Sequence, residues 1–290
     1  MDAGTDLTDL ISVIVPFLNG GDWLLEALQS VLSQTYTNWE LIVIDDGSQP
    51  YHSNLAKEFC NLYPHKILYT EHEEHCNKGV SASRNEAAKL AKGKYLAFLD
   101  ADDKWLPEKL EIQLNYLKTH QQASMACEGI IKWHSWLDKT AIDYIHPVGV
   151  PAGKCYSPRE LTKLLYPFTD AAPPAPSGFM IKKETFEKIG GFEASFNGIH
   201  ELYEDQAFLA KIYLSETVFV AGTSNVMYRK REDSMCSAAN EIGRYHTVRA
   251  FFFDWIENYM NAHQVDDNQI YSQLRKLKSE LPFAQILQIG

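Results

Sequence analysis

The sequence has no excess of positive charge. Its 290 residues hold 27 Lys and Arg against 38 Asp and Glu, a formal charge of −11. A nucleic-acid binder would show a basic stripe, and none is present. A disulfide framework is missing too. Cys60, Cys76, Cys127, Cys155 and Cys236 are odd in number and share no repeated spacing, which reads as reduced thiols. No apolar run approaches the roughly 20 residues a membrane helix needs. The first ten residues are acidic and polar, unlike a secretory signal. There is no internal repeat and no low-complexity tract. These absences lead us to expect a cytoplasmic protein, free or peripheral at the inner face of a membrane.

What is present is ordinary globular composition, 45% hydrophobic and 22% charged. That suffices for one large α/β domain with an appendage, or for two modest domains. Ile11-Ser12-Val13-Ile14-Val15 is β-branched and apolar and stops at Pro16, as a buried parallel strand would. Leu24, Leu25, Leu28, Val31 and Leu32 then fall on one helical stripe, with Asp22 as its expected N-cap. Further strands are expected at Leu41 to Ile44, Ile67 to Thr70 and Tyr95 to Leu99. Helices are expected between them, from His52 to Tyr63 and from Ser81 to Ala91, with Gly93 near the end of the latter. Pro107 suits the first turn of a helix that buries Leu110, Leu114 and Leu117. This alternation implies right-handed crossovers and a mostly parallel sheet flanked by helices.

The middle is less regular, with strands expected around Ile130 to Trp136 and a proline-rich stretch from Ala171 to Pro176. Helical patterns follow at Lys183 to Ile189 and from Glu204, then a strand at Val218 to Ala221, and helix beyond Ser237. The boundaries expected are a tail at residues 1–10, an α/β domain at 11–236 and a C-terminal helical extension at 237–290. The domain divides into a first half at 11–124 and a second at 125–236.

In open α/β sheets ligands bind beyond the carboxyl ends of the strands. Three such ends carry polar clusters: Pro16 to Asn19, Asp45-Asp46-Gly47-Ser48, and Asp100-Ala101-Asp102-Asp103. Aspartates after strands commonly start turns, so either acidic cluster alone signals little. Together they would repel unless a proton, a cation or a donor group intervened. An acidic chain binds a nucleotide diphosphate when a divalent cation stands between its carboxylates and the phosphates.

The motifs, in order, resemble the family 2 inverting glycosyltransferases. They are Ile11 to Pro16, Ser30-Val31-Leu32-Ser33-Gln34-Thr35-Tyr36, and Glu40 through Ser48. Asn77-Lys78-Gly79-Val80-Ser81-Ala82-Ser83-Arg84-Asn85, Tyr95 through Asp103, Gly190-Gly191-Phe192 and Tyr203-Glu204-Asp205 complete them. The likeness runs from about Ile11 to Ser234 and implies the GT-A fold. It also implies a nucleotide-sugar donor, a UDP-sugar above others, and a hydroxyl acceptor on a glycan, a lipid or another molecule. By the same resemblance Asp46 accepts the uracil imide N–H while Asp45 supports the loop. Pro16, Phe17 and Leu18 lie along base and ribose, and Arg84 sits near the nucleotide. Asp102 binds Mn²⁺ or Mg²⁺ directly, with Asp100 on ribose or a metal-bound water and Ala101 between them; Asp103 caps the next helix or supports the site. Asp205 becomes the general base and Glu204 orients the site. Arg229 and Arg231 fall in a segment, Tyr228 to Ser234, that closes over the diphosphate. The family often has His where Arg231 stands, so we expect Arg231 to meet the phosphates itself.

Two features point elsewhere. His72-Glu73-Glu74-His75-Cys76 packs metal-ligand types together, but its spacing is no standard zinc pattern and a surface loop is expected. Phe251-Phe252-Phe253 with Trp255, Ile256 and Tyr259 reads as an apolar helix face packing on the domain; contact of these C-terminal helices with a membrane surface is the alternative. Trp133 and Trp136 are candidate acceptor platforms, although core packing explains a lone Trp as often. Two other functions stay open. A sugar nucleotidyltransferase would want a glycine-rich loop after the first strand, where Pro16-Phe17-Leu18-Asn19 stands. An inactive binding module would not need Asp46, Asp102 and Asp205 together.

Overall fold

The computed structural model describes residues 8–231 and 245–281. The four apolar runs of the first hundred residues become parallel strands β1 (Ile11–Phe17), β2 (Trp39–Asp45), β3 (Ile67–Glu71) and β4 (Tyr95–Phe98), in the order β3-β2-β1-β4. β1, β2 and β4 are apolar in both registers because both faces are covered, whereas β3, at the sheet edge, leaves Leu68 and Glu71 exposed. Ile11, Val13, Val15, Leu41, Val43 and Ala97 join one core with the inner stripes of α1 (Gly21–Leu32) and α2 (Pro50–Asn61). Ile14, Ile42, Ile44, Leu96 and Phe98 join the opposite core, against α3 (Val80–Leu90).

Two local expectations are corrected. β1 does not stop at Pro16, which pairs with Ile44. The Ile14 carbonyl accepts from Leu99 and the Phe17 carbonyl from Asp46, so even-numbered residues of β1 face β4. The missing N–H of Pro16 therefore falls where β4 pairing has already ended, at Ile14–Phe98. Asp22 lies within the first turn of α1 rather than at its cap, which is Gly20. The helix starts earlier because Gly21, at φ +54°, makes the turn.

The rest of the chain widens the sheet. β5 (Lys104–Trp105), α4 (Lys109–Thr119), β6 (Met125–Cys127), β7 (Ile130–Trp133), β8 (Tyr144–His146), β9 (Lys154–Tyr156) and α5 (Glu160–Leu164) lead to β10 (Phe179–Lys182). Then follow α6 (Lys183–Lys188), α7 (Glu204–Ser215), β11 (Val218–Val220) and β12 (Val226–Arg229). The main sheet runs β3-β2-β1-β4-β10-β6-β11-β9, with β10 inserted antiparallel between β4 and β6. A second sheet, β5-β12-β7-β8, is joined to the first by the turns that follow β4 and β11. Leu110, Leu114 and Leu117 are buried as expected, but Pro107 precedes the N-cap Glu108 rather than sitting in the first turn of α4.

Two C-terminal helices, α8 (Tyr245–Ala262) and α9 (Asn268–Ser279), close the described chain. Phe252, Phe253, Ile256 and Met260 are buried against Phe196, Tyr203, Ala207 and Leu214, with Phe251, Trp255 and Tyr259 half-buried around them. The aromatic face thus packs on α7. The expected packing of this face on the domain is what the structure shows, for Phe252, Phe253, Ile256 and Met260. No described helix is long and apolar enough to cross a membrane. The expected boundary at residues 236 and 237, Ser234, Cys236, and the helical expectations for 237–244 and 282–290 lie outside the described residues.

Candidate functional site

A cleft of about 600 Å³ opens beyond the carboxyl ends of β1, β2 and β4. Pro16, Phe17, Leu18, Asp46, Arg84, Asp100, Ala101, Asp102, Glu204, Asp205 and Arg231 all line it. Asp45 and Arg229, expected with them, do not.

Asp45 is fully buried below the floor. Its carboxylate accepts from the Ser48 amide at 2.8 Å, the Ser53 hydroxyl at 2.5 Å and the Tyr69 hydroxyl at 2.8 Å. Burial alone would raise its pKa, but these three donors prevail and hold it below the usual carboxylate range. Asp45 thereby fixes the turn that presents Asp46. Gly47 in that turn has φ +83°, and a Cβ there would meet the Asn77 amide nitrogen at 2.7 Å. This close approach lets Asp46 accept from the amides of Lys78, at 2.7 Å, and Gly79, at 3.0 Å. A carboxylate has about four acceptor positions, so Asp46 keeps capacity for a ligand N–H. His72 is no surface residue, contrary to expectation. It is buried, 2.8 Å from the Ser83 hydroxyl and 3.4 Å from Asp46, and braces that carboxylate from behind.

Arg84 ties the two acidic regions together. Only 2% exposed, it donates from one Nη to Asp100 and from the other to Glu204, each at 2.6 Å, with its guanidinium over the Phe192 ring. Glu204 and Asp205 open α7. Burial pushes Glu204 up to about 8 against the pull of Arg84. It pushes Asp205 up to about 6, opposed by the Gln206 amide and Arg84. Asp205 therefore has the basicity of a general base that works near neutral pH.

Asp102 is raised by burial and by Asp100, with Arg231 pulling the other way from 3.4 Å. Two carboxylates side by side in a cleft create the field a divalent cation relieves. The donors here are all hard oxygens, which fits Mg²⁺ or Mn²⁺. By contrast, the ligand atoms of Asp45, Glu71 and His75 lie within 4.8 Å of one another, but Tyr69, Ser48, Ser53 and Lys57 already occupy those carboxylates.

Asp103 does not cap α4. It is buried, its charge disfavoured by burial and by Asp102 and Asp100, and it accepts from the Ser177 hydroxyl at 2.7 Å and the Arg229 amide at 3.1 Å. Arg229 is equally structural. Its Nε donates to the Asp102 carbonyl at 2.8 Å, another nitrogen binds Glu26, and its guanidinium lies 4.3 Å from the Trp133 ring and 4.9 Å from the Trp136 ring. The two tryptophans expected as acceptor platforms are thus spent on clamping Arg229, and neither lines the cleft.

Sequence reasoning missed Trp23, which lines the cleft and lies 4.5 Å beneath the Arg231 guanidinium. Its position in the first turn after β1 was the available signal, since that turn faces the crevice. Glu201 was missed as well. It accepts from the Val80 amide at 3.0 Å and stabilises the start of α3. Lys132, His146 and the proline-rich stretch at Pro173 to Pro176 form the far wall; nothing in the local pattern marks Lys132 or His146.

With this geometry in place, the comparisons are decisive about family. The model of glycosyl transferase family 2 matches residues 12–190. The chain belongs to that family. Glycosyltransferase GlyA of Streptococcus pneumoniae is 32% identical over 232 residues, 78% of this chain and 31% of GlyA. Escherichia coli WfgD, named a UDP-Glc:α-D-GlcNAc-diphosphoundecaprenol β-1,3-glucosyltransferase, is 40% identical over 108 residues, 37% of this chain and 41% of WfgD. The chain spans less than half the length of these relatives. Among solved structures, TarS 1–349 of S. aureus has a TM-score of 0.62 at 19% identity, over 97% of this chain and 75% of that one. The mannosyltransferase PcManGT of Pyrobaculum calidifontis, solved with GDP-Man and Mn²⁺, has a TM-score of 0.61 at 16% identity, over 96% and 72%. At such identities the likeness shows the fold, which is the GT-A architecture expected from the motifs.

Proposed function

We propose that this chain transfers a sugar from a UDP-sugar to an acceptor hydroxyl with inversion, in a single displacement. The observation that carries the reading is the Arg84 bridge. It holds the strand-end carboxylate Asp100 and the α7 carboxylate Glu204 on one guanidinium, so donor and base residues share one cleft. Residues 11–124 act as the donor half and 125–236 as the acceptor half. Pro16, Phe17 and Leu18 border the base and ribose, and Asp46 takes the uracil N–H with its remaining acceptor capacity. Asp102, with Asp100 beside it, would hold Mn²⁺ or Mg²⁺. Bound there, the cation supplies Lewis-acid neutralisation of the departing diphosphate.

Arg231 rests between Trp23 and Asp102 and offers forked donors to the phosphates in place of a histidine. Asp205 takes the proton of the acceptor hydroxyl as that oxygen attacks the anomeric carbon from the face opposite the leaving UDP. Glu204, held by Arg84, fixes the start of α7 and so the aim of Asp205. TarS has been crystallised with UDP and with UDP-GlcNAc, and WfgD is named for UDP-Glc, which supports uridine in the donor.

The test is a thermal-shift panel of nucleotide sugars with Mn²⁺. Binding to the native state raises its melting temperature. A UDP-sugar should raise it in a way that a chelator abolishes, and no shift with any nucleotide would sink the reading.

A further inference from the structure

The far wall of the cleft includes one face of the second sheet. Lys132 of β7 pairs with Tyr228 of β12, and Ile130 of β7 with His146 of β8, so these four side chains share a face. All four line the cleft. Lys230 extends that face one step beyond β12, where its amide donates to the Trp133 carbonyl. Lys132 and Lys230 lie 4.5 Å and 5.9 Å from the Tyr228 ring, so one aromatic side chain gathers both ammonium groups. Burial and the charges of these two lysines hold His146 below the usual histidine range.

This face differs in sign from the rest of the cleft, whose lining includes Asp46, Asp100, Asp102, Glu201, Glu204 and Asp205. The end of β12 divides its cations by parity. Arg229 and Arg231 lie 5.7 Å and 4.5 Å from the Trp23 ring, with Arg231 also 3.4 Å from Asp102, whereas Lys230 turns to Tyr228. The donor diphosphate belongs with Arg231 and Asp102, so the lysine face is left for a different group. The acids of the β7–β8 hairpin are engaged at its tip: Asp138 accepts from Thr140, and Asp143 from Ser135 and the His134 amide. Two lysines and a histidine held on one face repel, and an anion among them relieves that repulsion.

We propose that this face is the acceptor subsite and takes a sugar carrying an anionic group, a phosphate or a carboxylate, held by Lys132, Lys230 and His146. The acceptor role rests on the transfer reading above; the anion site does not. The experiment is saturation-transfer NMR of the full chain, with UDP and Mg²⁺ filling the donor side. The probes are glucose 1-phosphate, glucuronic acid and methyl glucoside. An anionic probe should bind about tenfold or more tighter than the neutral one, through charge-assisted contacts. Which of the two does so names the group. Lys132→Ala with Lys230→Ala should erase the preference, and Lys132→Arg with Lys230→Arg should keep it. UDP affinity should stay within about threefold in both variants. Equal binding of all three probes, or a preference that survives the two alanines, overturns the proposal. So does a UDP affinity that falls with the alanines, since the lysines then serve the donor diphosphate. If the preference stands but UDP does not bind, the transfer reading alone fails.

Discussion

Replacing Arg84 with methionine probes the join between donor and base regions. The side chain is 2% exposed and makes two 2.6 Å ion pairs, to Glu204 (10% exposed side chain) and Asp100 (27%). At pH 9, where Glu204 is ionised, about 4 Å between charge centres and an effective dielectric near 20 make each pair worth on the order of 4 kcal/mol before desolvation. The Asp100 share is reduced by water on its open side. Glu204 limits its own loss by taking up a proton, since its carboxyl already sits at about 8. Breaking one buried pair costs roughly 3 to 5 kcal/mol, and we expect Arg84→Met to fall at the lower end of that range. Urea unfolding followed by circular dichroism measures this. Arg84→Met combined with Glu204→Gln should lose less than the sum of the single variants, because both changes break the same buried Arg84–Glu204 contact. A loss below about 1 kcal/mol for Arg84→Met, or strict additivity in the pair, would refute the coupling.

Four further outcomes follow from the same geometry. Asp205 loses its proton at about 6, so kcat/KM for the free enzyme should climb roughly tenfold per pH unit below that point and level off above it. Because its folded pKa lies above the unfolded 3.8, Asp205 favours the fold at low pH and loses that contribution as pH rises through 6; Asp205→Asn should therefore melt higher than wild type at pH 8, and a lower melt would count against the burial argument. Gly47→Ala should weaken donor binding and cost about 2 kcal/mol or more, as its Cβ meets the 75–77 backbone at a positive φ; unchanged calorimetric affinity and stability would show that the loop simply yields. Arg231→Ala should weaken UDP-sugar binding about tenfold or more, a charge-assisted fork being lost, and unchanged affinity and turnover would remove Arg231 from the diphosphate site.

Residues 11–124 were legible because their physics is local. Strands buried on both faces must be apolar in both registers, and of the aspartates at their ends Asp46, Asp100 and Asp102 reach the crevice while Asp45 and Asp103 turn inward to brace it. The packing of Phe252, Phe253 and Ile256 on α7 was also legible from helical spacing. What escaped depends on partners far away in sequence. β5, β8 and β9 are only two or three residues long and exist through their ladders, and the apolar run of β10 gives no sign that it enters antiparallel. Trp133, Trp136 and Arg229 look like site residues in one dimension; they meet one another only when β12 lies beside β7. His72 read as surface loop because its burial depends on Ser83 from α3.

The most direct measurement compares Asp205→Asn with wild type in two assays: UDP-sugar affinity by calorimetry with Mn²⁺, and release of UDP to water or acceptor. General-base loss should lower turnover by about 10² to 10⁴-fold while donor affinity stays within about threefold. Turnover near wild type, or a donor affinity that collapses with it, would contradict Asp205 as the base and with it the assignment of the cleft.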